Sequence, residues 1–161
     1  MVRIRCVDWK VALVAATLAT ACGHMPSTTS PRILAIQPVS VTVSGTPETV
    51  LIGDADRSLY YSSSDTPTRV TCRDVCTHTW VPFLKPVAPL IRTAFAGGGT
   101  LTWVRGSDGC QAEYNGHPLF TYAGDLRPDG ASGNDLQGMW FVVTPDLAPA
   151  VGWSASARSS C

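Results

Sequence analysis

The stretch Gln111 to Tyr122 constrains this chain more than any other. Asn115-Gly116 sits between two apolar-bearing runs, and Asn-Gly is the strongest short hairpin signal because both central residues of a type I′ turn need positive φ. Gln111 to Tyr114 leads into the turn, and Leu119 to Tyr122 returns. The surrounding sequence has the same character. Thr100 to Arg105 alternates, with Leu101 and Trp103 on one face, and Ser107-Asp108-Gly109 turns the chain. Val39 to Val43 alternates strictly, as a half-buried strand does. Thr49 to Ile52 and Ser58 to Ser62 flank Gly53-Asp54-Ala55-Asp56 and read as a hairpin. Thr68 to Cys72 reads as a further short strand, and Trp140 to Val143 as the last. Val81 to Pro89 holds three prolines and is expected to be irregular and surface-lying. Gly97-Gly98-Gly99 reads as a flexible joint, and Gly124 to Gly138 as a long loop. No amphipathic helix stands out beyond the N-terminal segment, so the expected class is all-β, a small sandwich or barrel-like domain.

A weak internal repeat sharpens this expectation. Leu59-Tyr60-Tyr61 with Asp65 downstream resembles Leu119-Phe120-Thr121-Tyr122 with Asp125 downstream. In each, the acid follows the first aromatic by five residues. Two such stretches, offset by roughly 60 residues, imply two related antiparallel β units packed face to face.

The N-terminus reads as an export address. Arg3, Arg5 and Lys10 precede an apolar run from Val11 to Ala21, which is too short to cross a bilayer as a helix of about 20 residues. Ala19-Thr20-Ala21 gives a small-x-small cleavage pattern directly before Cys22. A cysteine in that place resembles the lipidated residue of a bacterial lipobox, with Leu18 four residues before it. Ordinary cleavage after Ala21, giving a soluble secreted protein, is the alternative. The expected organisation is a signal peptide over 1–21 and a lipidated cysteine and flexible tether over 22–36. A β domain over 37–147 and a C-terminal tail over 148–161 follow. Removing residues 1–21 takes Arg3, Arg5, Lys10 and Asp8 from the 12 basic and 12 acidic residues and leaves 9 and 11. Such a near-neutral domain lacks the positive field that nucleic acid requires.

Leu59-Tyr60, Asp65, Cys72-Arg73-Asp74-Val75-Cys76 and Trp80-Val81-Pro82 resemble the first half of the secreted-repeat bacterial lipoproteins with a Tyr-x-aromatic-x-x-Asp motif. The run Tyr114 to Asp125, then Gly130, Gly133, Gly138 and Trp140 to Val143, resembles their second half. Together they cover roughly residues 48–144. Ser62 stands where the first motif has an aromatic, Phe120 replaces the tyrosine of the second, and Val81 replaces a proline. The resemblance implies export and fold, and the family's function is unassigned.

After export, Cys72, Cys76, Cys110 and Cys161 remain beside Cys22, and an oxidising compartment favours disulfides. Four cysteines allow three connectivities. The resemblance implies that Cys72 pairs with Cys76, and with it that Cys110 pairs with Cys161.

No G-x-S-x-G elbow, phosphate loop or H-E-x-x-H is present, so no catalytic set is expected. Asp65 and Asp125 could serve a hydrolase only as paired acids facing one another across a cleft; their plainer role is to cap turns. Cys72, Cys76, His78 and His117 offer ligands for a redox or metal- and haem-handling accessory, but C-x-x-x-C-x-H is not a zinc pattern and no C-x-x-C-H occurs. No cofactor is expected. The candidate binding residues are Tyr60, Asp65, Trp80, Tyr114, His117, Tyr122, Asp125 and Trp140, which would form a ligand platform if they lined one groove. The expected protein is therefore a lipid-anchored, non-catalytic module contacting an envelope protein or a small ligand.

Overall fold

Ser44 and Gly45, both at positive φ, reverse the chain between strand β1 (Ile33–Val43) and strand β2 (Thr46–Ile52). The same device recurs at Asn115 and Gly116, with φ of 49° and 84°, between β7 (Cys110–Tyr114) and β8 (His117–Pro118). Between these hairpins lie β3 (Tyr60–Ser62), β4 (Trp80–Pro82), β5 (Arg92–Phe95) and β6 (Leu101–Arg105). Strands β9 (Phe120–Tyr122) and β10 (Trp140–Val142) complete the set. The computed structural model describes residues 33–66, 69–85, 92–95, 98–128, 130–154 and 161. The signal segment, Cys22 and the tether up to residue 32 lie outside them. Among the described residues there is no α-helix, only short 3-10 turns at Asp54–Asp56 and Asp74–His78.

The strands form three sheets, ordered β2-β1-β5, β10-β3-β9-β4 and β6-β7-β8. Every pairing between them is antiparallel except β1 with β5. The protein is all-β.

The repeat seen in the sequence becomes a pseudo-twofold in the central sheet. Tyr60 pairs with Phe120 at its centre. Trp140 pairs with Ser62 on one side, as Trp80 pairs with Tyr122 on the other. The backbone bonds repeat as well: Ser63 donates to Met139 and Ala123 to Thr79, at 2.8 and 2.9 Å. Leu59 donates to Leu51 as Leu119 donates to Ala112. The two units meet edge to edge through this sheet rather than face to face. Each also lends its tryptophan strand to the other, since β3 pairs with β10 and β9 with β4. Strand pairing satisfies backbone donors and acceptors that burial would otherwise leave unbonded, so these short strands gain more by exchanging edges than by stacking.

Period-two alternation splits the core across the two faces of this sheet. Tyr60, Trp80, Phe120, Trp140 and Val142 pack with Val41, Val43, Val50 and Ile52 on one face. Leu59, Phe83, Leu119 and Val143 pack with Ile36, Leu51, Ala112 and Tyr114 on the other.

Several segments differ from the sequence expectation. β1 begins at Ile33, so Ile33 to Ile36 belong to the sheet and not to the tether. Trp80 to Pro82 is a strand and Phe83 is buried, where an irregular surface segment was expected. Pro82 is tolerated because β4 is an edge strand of its sheet. Residues 86–89 of that segment lie outside the described set. Arg69 makes a single bridge to Thr66, and Thr71 and Cys72 join no strand: Thr71 bonds Asp65 instead, and Cys72 is bridged to Cys76. Gly99 is no mere joint: a side chain there would collide with Tyr114 and Asn115.

Candidate functional site

The face of the central sheet that carries the even-numbered residues gathers six of the expected binding residues: Tyr60, Asp65, Trp80, Tyr122, Asp125 and Trp140. Trp80 and Trp140 lie flat on one another on the pseudo-twofold, with ring centroids 3.9 Å apart and planes 7° apart. Tyr122 covers the other side of Trp80, centroid to centroid 4.6 Å. Tyr60 meets Trp80 edge-on at 5.4 Å, and Phe120 meets Trp140 edge-on at 5.2 Å. Edge-on and offset contacts of this kind contribute about 0.5–1.5 kcal/mol each beyond area burial.

The two acids repeat each other at one oxygen and part at the second. Asp125 Oδ1 accepts from the amide and hydroxyl of Ser132, at 2.9 and 2.6 Å. Asp65 Oδ1 accepts from the amide and hydroxyl of Thr71, at 2.7 and 2.6 Å. Asp125 Oδ2 takes a 2.6 Å bond from the Tyr60 hydroxyl of the other unit. The pseudo-twofold would have residue 120 return that bond to Asp65, but Phe120 has no hydroxyl. Asp65 Oδ2 is buried without a partner. Burial holds the Asp65 carboxyl above the usual carboxylate range, with the Thr71 bonds and the charges of His117 and Arg73 pulling the other way. Burial and the bond to Asp125 also push the Tyr60 phenol far up, so it stays protonated.

β3 and β9 are antiparallel, and Asp65 and Asp125 leave them in opposite directions. Asp65 is held by Thr71 of its own turn and Asp125 by Ser132 and by Tyr60 of the other unit, an arrangement unlike the facing pair a glycosidase needs.

Tyr114 and His117 make their hydrogen bonds outside this cluster, although His117 is near enough to Asp65 for their charges to interact. The Tyr114 hydroxyl donates to the Pro145 carbonyl at 2.5 Å and accepts from Gly99 at 2.7 Å. His117 Nε2 lies 3.0 Å from the Ala148 carbonyl, and burial lowers its pKa. These two residues and Asn115 fasten the segment after β10 onto the second unit. Cys22 lies outside the described residues.

Cys72 is bonded to Cys76, and Cys110 to Cys161. In the disulfide, neither Cys72 nor Cys76 offers a thiolate. Among the described residues, no group of three His, Cys, Asp or Glu side chains is placed to hold a metal ion.

Beside Trp140 a cavity of 430 Å³ opens to solvent. Ser62, Ser64, Thr71, Thr79, Gln137 and Met139 line it, together with the Cys72–Cys76 disulfide and both stacked tryptophans. Ser62 Oγ, Ser64 Oγ and Thr71 Oγ1 form a hydrogen-bonded chain along its wall that ends on Asp65 Oδ1. Of these residues, the sequence singles out the cysteines and tryptophans, and Ser62 only as a departure from the motif. Nothing local in the sequence points to Thr71 or Ser132, because their partners are five or more residues away and set by the turn.

Residues 102–144 match the model of a lipoprotein family described as a secreted repeat of unknown function. The match begins in β6 and runs past β10, so the matched stretch lies within the second of the two units and includes the strand it lends to the first. It indicates an exported protein, in keeping with the disulfides. The chain matches no curated protein and no solved structure.

Proposed function

We propose that the protein is an exported lipoprotein of the cell envelope, held to the membrane through Cys22, whose paired secreted repeats act as a non-catalytic binding module. The observation that carries the non-catalytic part is the use made of its acids. Asp125 spends both oxygens on Ser132 and Tyr60, and Asp65 is buried against Thr71, so neither is poised towards solvent as an acid or base. The envelope part rests on the secreted-repeat match and on the basic, apolar and small-residue order that ends at Cys22. Two acyl chains hold such a protein stably, because each buried methylene contributes about 0.8 kcal/mol. The ligand is a small molecule or an envelope protein met outside the cytoplasm.

The test is metabolic labelling of bacteria producing the full chain with an alkyne fatty acid. The wild type should carry the label and sediment with membranes, and Cys22→Ala should lose both properties. An unlabelled, soluble wild type would remove the anchor.

One observation favours a second reading, a redox accessory: Cys76 is half-exposed on the cavity wall. Thiol trapping in intact cells decides it. A steady reduced fraction at Cys72 and Cys76 would support thiol–disulfide exchange, and complete oxidation would reject it.

A further inference from the structure

The cavity beside Trp140 lies where the two repeats differ. In the second unit Tyr122 stands opposite Trp80 and lays its ring over that indole. Tyr122, Trp80 and Trp140 thus form a series of three rings. The pseudo-twofold carries Tyr122 onto Ser62, which stands opposite Trp140. A fourth ring belongs there by symmetry, and Ser62 does not supply it. The 430 Å³ cavity occupies that side of Trp140, with Ser62 in its wall. Its size falls within the range of small-molecule pockets, about 300–1,000 Å³.

We infer that this cavity binds a small, uncharged, hydroxyl-bearing aromatic ring, a phenol in chemical class, as a replacement for the missing fourth ring. The inference rests on the binding-module reading above and names its ligand. Three observations select that chemistry. The chain itself puts a phenol, Tyr122, in the equivalent place. None of the ten lining side chains is charged, so an ion would lose its hydration without a counter-charge. The wall offers Ser64, and through it the chain of hydroxyls to Asp65, as partner for one polar group on the ring.

The bound ring cannot sit as deep as Tyr122 does. Gly124 makes room for the tip of Tyr122, since a side chain there would strike that ring. Its counterpart, Ser64, has a side chain. Trp140 is only 4% exposed, so the ligand meets its rim rather than its whole face. The ring therefore lies farther out, towards Met139 and the disulfide, both on the cavity wall. A thioether sulfur and a ring edge attract one another.

The experiment titrates p-cresol, the side chain of tyrosine as a free molecule, into the purified full chain and follows indole N–H resonances by NMR. A saturable shift of the Trp140 indole, with Trp103 and Trp153 unmoved, is expected. Ser62→Tyr should fill the cavity from its base and Thr79→Trp from its rim, each weakening p-cresol at least tenfold. Thr79 is exposed, so the second variant keeps the test sharp if the first misfolds. Cyclohexylmethanol, of similar size but without a π face, should bind at least fivefold more weakly than p-cresol. No saturable shift in the wild type, equal binding in Thr79→Trp, or equal binding of the two probes would overturn the inference. Fatty-acid labelling is read separately, so a failed ligand with an intact anchor removes only this pocket's role, and the reverse removes only the anchor.

Discussion

At the scale of single residues, the two units diverge at positions 120 and 62. Phe120 keeps the edge-on contact to Trp140 that Tyr60 makes to Trp80, so the ring is retained and only the hydroxyl is lost. The loss leaves Asp65 Oδ2 buried and unbonded, a state that typically costs about 1–3 kcal/mol. Phe120→Tyr should restore the second cross-unit bond and raise stability by about 1–2 kcal/mol in urea denaturation. Tyr60→Phe should do the opposite at Asp125 and cost about 1–3 kcal/mol. No gain in the first variant would mean that the Asp65 oxygen is not within reach of residue 120. The same oxygen sets a pH dependence. Asp65 has a folded pKa raised by burial above its ordinary 3.8. A carboxyl raised on folding adds stability that is fully present below its unfolded pKa and is lost as pH rises through the folded one. Stability should therefore fall as pH climbs from about 3.8, the ordinary carboxyl value, through the raised one. Asp65→Asn should flatten that part of the profile, measured as urea midpoints across pH; an unchanged profile would show that Asp65 does not titrate there.

Elements act here through their turns. Asn115 does more than admit a positive φ. Its Oδ1 accepts from Thr100 and its Nδ2 donates to Leu147, at 2.8 and 2.7 Å, while its carbonyl accepts from Ala150. The β7–β8 turn is thus the post to which both the entry to β6 and the segment after β10 are tied. Asn115→Ala should cost about 2–3 kcal/mol, combining a strained φ with two lost bonds. It should also expose residues 145–153 to limited proteolysis before the rest of the domain. Uniform resistance would show that the Cys110–Cys161 bridge holds the segment unaided. Sequence patterning made the hairpin itself legible, since Asn-Gly has one preferred turn. It could not show that the asparagine amide also serves as a clamp, because both partners are remote in the chain.

Across the whole molecule, exchange of β4 and β10 makes each unit depend on the other. Residues 98–161 alone would lack β4 beside β9, and the first unit alone would lack β10 beside β3. Each fragment would also lose half of the Trp80–Trp140 stack. Each disulfide joins cysteines of one unit, so neither bridges the two. A chain cut between the units should therefore give two fragments that are unfolded apart and regain the β circular dichroism spectrum when mixed. A second unit that folds alone, with its tryptophans quenched as in the intact chain, would contradict the exchange.

The sequence alone determined whatever follows from neighbouring residues and from composition: strand alternation, the Asn115-Gly116 turn, the near-neutral charge, and the recurrence of an aromatic five residues before an acid. These properties depend on backbone preferences and side-chain period, which act over a few residues. Its failures share one cause. The proline run at Val81 to Pro89 suggested an exposed irregular segment, yet Trp80 to Pro82 became an edge strand because β9 offered it unpaired backbone. The repeat suggested stacked units, yet they trade edges. Tertiary structure alone decided that Tyr60 of one unit bonds Asp125 of the other, that Phe120 leaves Asp65 unmatched, and that Ser62 opens a cavity beside Trp140. Those outcomes depend on which strands become neighbours, and pairing between residues tens of positions apart is set by burial and hydrogen bonding over the whole chain.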